Sequence, residues 1–269
     1  MTVMSDEHKR QAEYWARAAE DAGWRVDMEP AADGGARPDA LIHGPVLTGV
    51  EVRRQEIAAA GAVTRTAKAA DANVTSLWYS GRSGSPAWAW RVPTVLPREL
   101  GVDRPADAGI WAKLPPRRAV AAAGLRVLRT VRCAVGNIDR CPYERNWCGR
   151  HHPRPEPWGG LSVDDVAAKV PAGEIVPLRF WGMTTPGSRR RDAVLLVSPA
   201  DFALYEEMTG WPGSVTYRDV RLPDQRAREI RGIDPRTPMW CDCCESRHPV
   251  IEHRRCRAAA AAQGGDDWP

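Results

Sequence analysis

The stretch from Arg37 to Ile57, RPDALIHGPVLTGVEVRRQEI, sets an Asp at the head of one short apolar run and a Glu inside the next. Strand side chains alternate, so Val50 and Val52 point one way while Gly49, Glu51 and Arg53 point the other. The valines can pack on a helix. That leaves the acid and the base together on the opposite face, with space beside Gly49. Asp39 opens the neighbouring strand of the same hairpin, within reach of Glu51. Two carboxylates on adjacent strands supply hard oxygen donors suited to Mg2+ or Mn2+. Such an ion polarises a phosphodiester and lowers the pKa of an attacking water.

Arg53 follows Glu51 by two residues, where a metal-dependent nuclease usually carries a Lys. Arginine does not deprotonate, so it neutralises phosphate charge rather than taking a proton from water. Gln55 is a candidate to orient a water and Lys68 a candidate substitute for the missing lysine; an exposed polar residue is the plainer reading of each. Glu13 offers a third carboxylate, although a solvated helix face accounts for it as well. The letters alone carry little: PDQRAREIR, 223–231, repeats the Pro-Asp and Glu-x-Arg pairs with no apolar runs around them. Strand context separates the two.

Two clusters of soft ligands stand apart from this stretch. The first is Cys133-x7-Cys141-x6-Cys148-x2-His151, with His152 adjacent. The second is Cys241-x2-Cys244-x8-His253-x2-Cys256, flanked by Arg247, Arg254, Arg255 and Arg257. Three thiolates and an imidazole complete a tetrahedral structural zinc site, so the chain is expected to hold two Zn2+. Cys243 and His248 are near enough to exchange with a ligand of the second cluster. Neither cluster has the His-x-Glu that a zinc deaminase needs ahead of its Cys-x2-Cys.

The elements that must position these groups follow from periodicity. SDEHKRQAEYWARAAEDAGW reads as a helix that Ser5 caps; His8 stands where a capping box would want Glu. WRVDME (24–29), DALIHG (39–44) and VLTGVEVRR (46–54) read as strands, 55–72 as an Ala-rich helix, NVTSLWYS (73–80) as a fourth strand and AWAWRVP (87–93) as a fifth. PPRRAVAAAGLRVLRTVRCA (115–134) reads as a basic helix opened by prolines, and 133–158 as a loop. LSVDDVAAKV is a short helix with Ser162 and Asp165 in capping-box spacing. EIVPLRFWG and DAVLLVS form a hairpin, and SPADFALYEEMTG a helix with Pro199 at its start and Gly210 past its end.

The α-β-β-β-α-β order, with Pro-Asp and then Glu-x-basic on the next strand, resembles the PD-(D/E)xK nuclease superfamily. More closely, the first 95 residues resemble the nuclease-like domain of the competence protein CoiA family of actinobacterial type, through RPDAL, GVEVR, TRTAK and VTSLWYS. The resemblance implies an α/β, restriction-endonuclease-like αβββαβ core and metal-dependent cleavage of DNA. The organisation expected is a nuclease-like domain at 1–97, the basic helix and first cluster at 98–160, a small α+β segment at 161–232, a zinc knuckle at 233–256 and a tail at 257–269. The C-terminal region is thus α+β and zinc-stapled.

Composition agrees with a folded protein: 43% of the 269 residues are hydrophobic and 27% charged. No apolar run approaches the ~18 residues of a membrane span, and MTVMSDEHKRQAEYW has no signal-peptide core. A cytoplasmic protein with reduced cysteines is expected. Net charge is +4, but residues 113–160 hold ten Lys/Arg against three Asp/Glu, a local +7 that leaves −3 elsewhere. A basic segment beside such a site suits nucleic acid, DNA first. The residues leave three readings open: a Mg2+-dependent nuclease, a non-catalytic DNA-binding protein on the same fold, and a zinc-organised protein-interaction scaffold.

Overall fold

The computed structural model describes residues 5–30, 38–53, 57–80, 86, 88–98, 108–136, 147–183 and 191–215. At 98, 108–109, 182–183, 191–192, 238–241 and 246–249 it describes the backbone path alone. Helix α1 (Asp6–Asp21) starts at Ser5, whose hydroxyl accepts the His8 N–H. Strands β1 (Arg25–Met28), β2 (Ala40–His43) and β3 (Thr48–Arg53) follow as an antiparallel meander. Helix α2 (Ala59–Asp71) crosses over to β4 (Thr75–Ser80), which lies parallel to β3. The α-β-β-β-α-β order and the mixed sheet expected from the sequence are present.

The fifth strand is displaced. Residues 88–91 form turns, and β5 is Thr94–Arg98, parallel to β4. Beyond it, the basic helix expected at 115–134 is absent. In its place stand β6 (Ala121–Ala123), which completes a six-stranded sheet against β5, and β7 (Arg126–Arg132). Gly124, at φ +102°, makes the corner between them. An added Cβ there would meet the Thr94 carbonyl oxygen at 2.4 Å, so the corner admits only glycine.

The apolar core does not stop at the boundary expected near residue 97. Trp15, Ile42, Val50, Val52, Leu77 and Tyr79 share one buried cluster with Trp111, Val120, Val166 and Leu196. Helix α1 is tied to helix α3 (Val163–Lys169) by Tyr14 Oη, which donates to Asp164 Oδ2 at 2.6 Å, and the turn after α1 by Trp24 Nε1, which donates to Ala168 O at 3.1 Å. Ser162 and Asp165 form the expected capping box of α3. Burial alone would raise the Asp165 pKa, but the Ser162 hydrogen bonds, Arg118 and Lys169 outweigh it and hold the carboxyl below its usual range.

A second cluster joins β7 to the hairpin of β9 (Val176–Met183) and β10 (Arg191–Val197) and to α4 (Pro199–Thr209). The segment taken for a loop contains β8 (His151–Pro157), paired antiparallel with β7. Its sequence, HHPRPEP, puts proline at every second position. In a two-stranded ladder backbone groups face the partner at alternate residues, so all three missing N–H groups fall on the outer edge. Near the C-terminus, β11 (Pro238–Cys241) and β12 (Ser246–Pro249) form an antiparallel pair.

Candidate functional site

The sheet's two faces divide as the alternation requires. Val50 and Val52 pack under α1, while Glu51 lies on the face covered by α2, with a side chain 5% exposed. The β2–β3 ladder pairs Leu41 with Gly49 and Ala40 with Val50, and Asp39 precedes the first of these pairs, near enough for its charge to act on Glu51. Asp39 N–H donates to Val50 O at 2.8 Å, and its Oδ2 accepts Val52 N–H at 2.7 Å. Its carboxylate thereby replaces a backbone acceptor at the end of the ladder.

Two residues not singled out by sequence complete the arrangement. His8, on the first turn of α1, places Nε2 3.0 Å from Asp39 Oδ1. Arg65, on α2, lies 2.9 Å from Glu51 Oε2 and 3.2 Å from Oε1 through Nη2. Arg53 Nη2 lies 2.5 Å from Glu51 Oε2, and its guanidinium sits 5.7 Å from the centroid of the Trp78 ring. The rotation of α2 that brings Arg65 here is fixed by its neighbour: Trp78 Nε1 donates to Thr66 Oγ1 at 2.8 Å in the buried layer beneath.

The electrostatics follow. Burial raises the Glu51 pKa above the ordinary value of 4.5; Arg53 and Arg65 pull it down, and the Asp39 charge pushes it up again. Arg53 Nε is buried without a hydrogen-bond partner among the described residues. The result is two carboxylates and two guanidiniums, with an imidazole beside them, at the edge where β3 ends.

Of the other expected site residues, Lys68 is exposed in the last turn of α2, where its charge complements the helix dipole. Among the described residues no hydrogen bond or ion pair joins it to either carboxylate. Gln55 lies outside the described residues. Glu13 is exposed on α1, as a solvated helix face requires.

The first cysteine cluster is assembled in part. Cys133, Cys148 and His152 bring Sγ, Sγ and a ring nitrogen within 4.8 Å of one another. Cys148 Sγ is 3.0 Å from His152 Nε2, and Cys148 N–H donates to Cys133 Sγ at 3.4 Å. The imidazole gathered with the two thiols is that of His152; the expected His151 is exposed and opposite Arg132 in the ladder. Burial, then the charges of Arg150 and His151, hold the His152 pKa below its ordinary value. Cys141 lies outside the described residues. So do Cys244, His253 and Cys256, and Cys241 is described only as the last backbone position of β11.

Comparison with family models, curated proteins and solved structures returns no match. Among the described residues, no helix is long and apolar enough to cross a membrane.

Proposed function

We propose that this protein is a Mg2+- or Mn2+-dependent nuclease that hydrolyses phosphodiesters of DNA on a restriction-endonuclease-like core of the CoiA-like type. The observation that carries the reading is the buried Glu51 with Arg53 and Arg65 converging on it and the Asp39 charge close enough to act on it. The meander β1–β2–β3, the α2 crossover and the parallel β4 agree with the resemblance stated from sequence.

Asp39 and Glu51 are hard oxygen donors, and a carboxylate has lone pairs beyond those its present partners take. Their chemistry fits Mg2+ or Mn2+, which when bound supplies a polarised phosphoryl group and an acidified water. Arg65, with a side chain 41% exposed, has room to leave Glu51 and meet a phosphate. Arg53 is held more tightly by Glu51 and Trp78 and offers its unpartnered Nε. His8 orients Asp39 from the α1 side. The soft donor set of Cys133, Cys148 and His152 suits a structural Zn2+, apart from this chemistry.

A second reading is favoured by one observation: both oxygens of Glu51 are already engaged by guanidiniums. On it, the fold binds the DNA backbone without cleaving. Incubation with single- and double-stranded DNA in Mg2+ or Mn2+ separates the two. Cleavage by the parent and none by Glu51→Gln is expected; retention of DNA with no cleavage in either metal favours the second reading.

A further inference from the structure

We propose that a zinc ion held by Cys133, Cys148 and His152 clasps the open end of the β7–β8 hairpin. The inference rests on the zinc reading above and adds the ligand set and the role of the ion. Cys133 is 1% exposed, yet it belongs to none of the three apolar clusters of the described residues. His152 is 6% exposed, on the face of the hairpin opposite Leu128, which packs into the second cluster. A buried thiol, a half-buried thiol and a buried imidazole that face one another outside an apolar core are the arrangement of a metal site rather than of packing.

The local backbone supports the same conclusion. Cys133 N–H donates to Arg150 O at 2.7 Å and Gly149 N–H to Cys133 O at 3.1 Å, with Gly149 at φ +73°. These bonds turn the chain so that Cys148 comes under Cys133, and Cys148 N–H points at the Cys133 sulfur. A thiolate that accepts a backbone N–H is the better ligand for it. Around a tetrahedral zinc, sulfur at about 2.3 Å and nitrogen at about 2.0 Å stand roughly 3.5 Å apart, so the pair at 3.0 Å needs only a small opening. Two sulfurs and a nitrogen select zinc over Mg2+.

The role follows from what the hairpin lacks. A two-stranded ribbon is marginal unless a face is covered. Leu128 covers its lower half, and the Thr130 hydroxyl meets Met208 Sδ at 3.6 Å. Further along, Arg132 and His151 are exposed opposite each other. The outer face carries Arg129 directly across from Arg154, a like-charged pair that shares Glu156. The ion holds the strands together at the end that the apolar clusters of the described residues do not reach.

Zinc content of the full chain, purified without added metal, tests this by difference, since the C-terminal cluster contributes equally to every variant. Cys148→Ser and His152→Ala should each lose one equivalent relative to the parent, His151→Ala none, and His152→Cys should retain the metal because it restores a ligand without restoring the ring. Alkylation of Cys133 and Cys148 should be slow in the loaded parent and at least tenfold faster after chelation. Parent-level zinc in Cys148→Ser would overturn the zinc reading itself. Loss in His151→Ala with retention in His152→Ala would overturn the ligand set alone. Unchanged alkylation rates after chelation would overturn the clasp. DNA cleavage enters none of these readouts.

Discussion

Arg65 Nη2 stands 2.9 Å from Glu51 Oε2, so the central carboxylate of the site is held by the crossover helix as well as by its strand neighbour Arg53. This contact links the helix phase to the chemistry. Thr66, one residue on, is fixed by Trp78 in the layer below, and Trp78 is the parallel neighbour of Glu51 in β4. A shift of α2 would move Arg65, Thr66 and the cover over Trp78 together.

Removing Arg65 therefore has two separable effects. Arg65→Ala should cost about 1 kcal/mol, less than breaking a fully buried pair, because the arginine is partly exposed and Arg53 remains. Urea unfolding reads that change. DNA affinity should fall several-fold with a weaker dependence on salt, as expected on losing one phosphate contact. An affinity equal to the parent at every salt concentration would remove Arg65 from the phosphate path.

Tyr14 offers a test of the framework without touching the site. Its hydroxyl donates to Asp164, which also accepts the Arg118 N–H at 3.1 Å. Burial, with the Asp164 hydrogen bond and charge, raises its pKa far above that of a free phenol. Tyr14→Phe keeps the edge-on contact with Trp111 at 5.6 Å and loses the hydrogen bond. A loss of about 2 kcal/mol is expected, with activity per folded molecule unchanged. A neutral substitution would mean that the Tyr14–Asp164 hydrogen bond adds nothing to the joint between α1 and α3.

How much of this was legible in the sequence differs from element to element. The meander and crossover were, because Val50 and Val52 alternate against Glu51 and because TRTAK sits in an Ala-rich helical run. Ser5, the Ser162/Asp165 box and Gly210, at φ +68°, marked helix ends by chemistry that needs no tertiary context. The segment 115–134 misled because Ala, Leu and Arg favour helices; pairing with β5 and β8 overrode that preference, and Val127, Thr130 and Val131 were the available sign of strand. Arg65 was hidden for another reason. The rotation of a helix over a sheet is set by contacts such as Thr66 with Trp78, so placing Arg65 beside Glu51 required the partner strand. His8 was legible as a near-miss in a capping box, but its reach to Asp39 spans the fold. His151 and His152 differ only in which face of β8 they take, and that face is decided by pairing with Val131 and Arg132.

Gly124 permits a sharp test of the unexpected β6–β7 corner. Gly124→Ala places a Cβ against the Thr94 carbonyl and adds the strain of a positive φ. A cost of roughly 3 kcal/mol is expected. Gly136→Ala is the control: it has a similar φ of +83° with nothing within 4 Å of the added atom, and should cost about 1 kcal/mol. Equal effects in thermal unfolding would show that the clash with Thr94 is not present.

The raised Glu51 pKa makes a signed prediction about pH. A carboxyl whose folded pKa lies above its unfolded value binds its proton more tightly in the native state. Its contribution to stability is full below the unfolded pKa and is lost as pH rises through the folded one. The stability difference between the parent and Glu51→Gln should therefore move against the parent as pH rises across that window, which begins near the ordinary value of 4.5. Taking the difference removes carboxyls of opposite behaviour, such as Asp165. On the nuclease reading cleavage carries the complementary sign, since only an ionised carboxylate ligates a metal: activity at limiting Mg2+ should rise with pH along a limb above the ordinary carboxyl range. Saturating Mg2+ competes with the proton and should shift that limb to lower pH. A limb that stays in place at every metal concentration would mean that the group titrating there is not a metal ligand, and the assignment of Glu51 would fail.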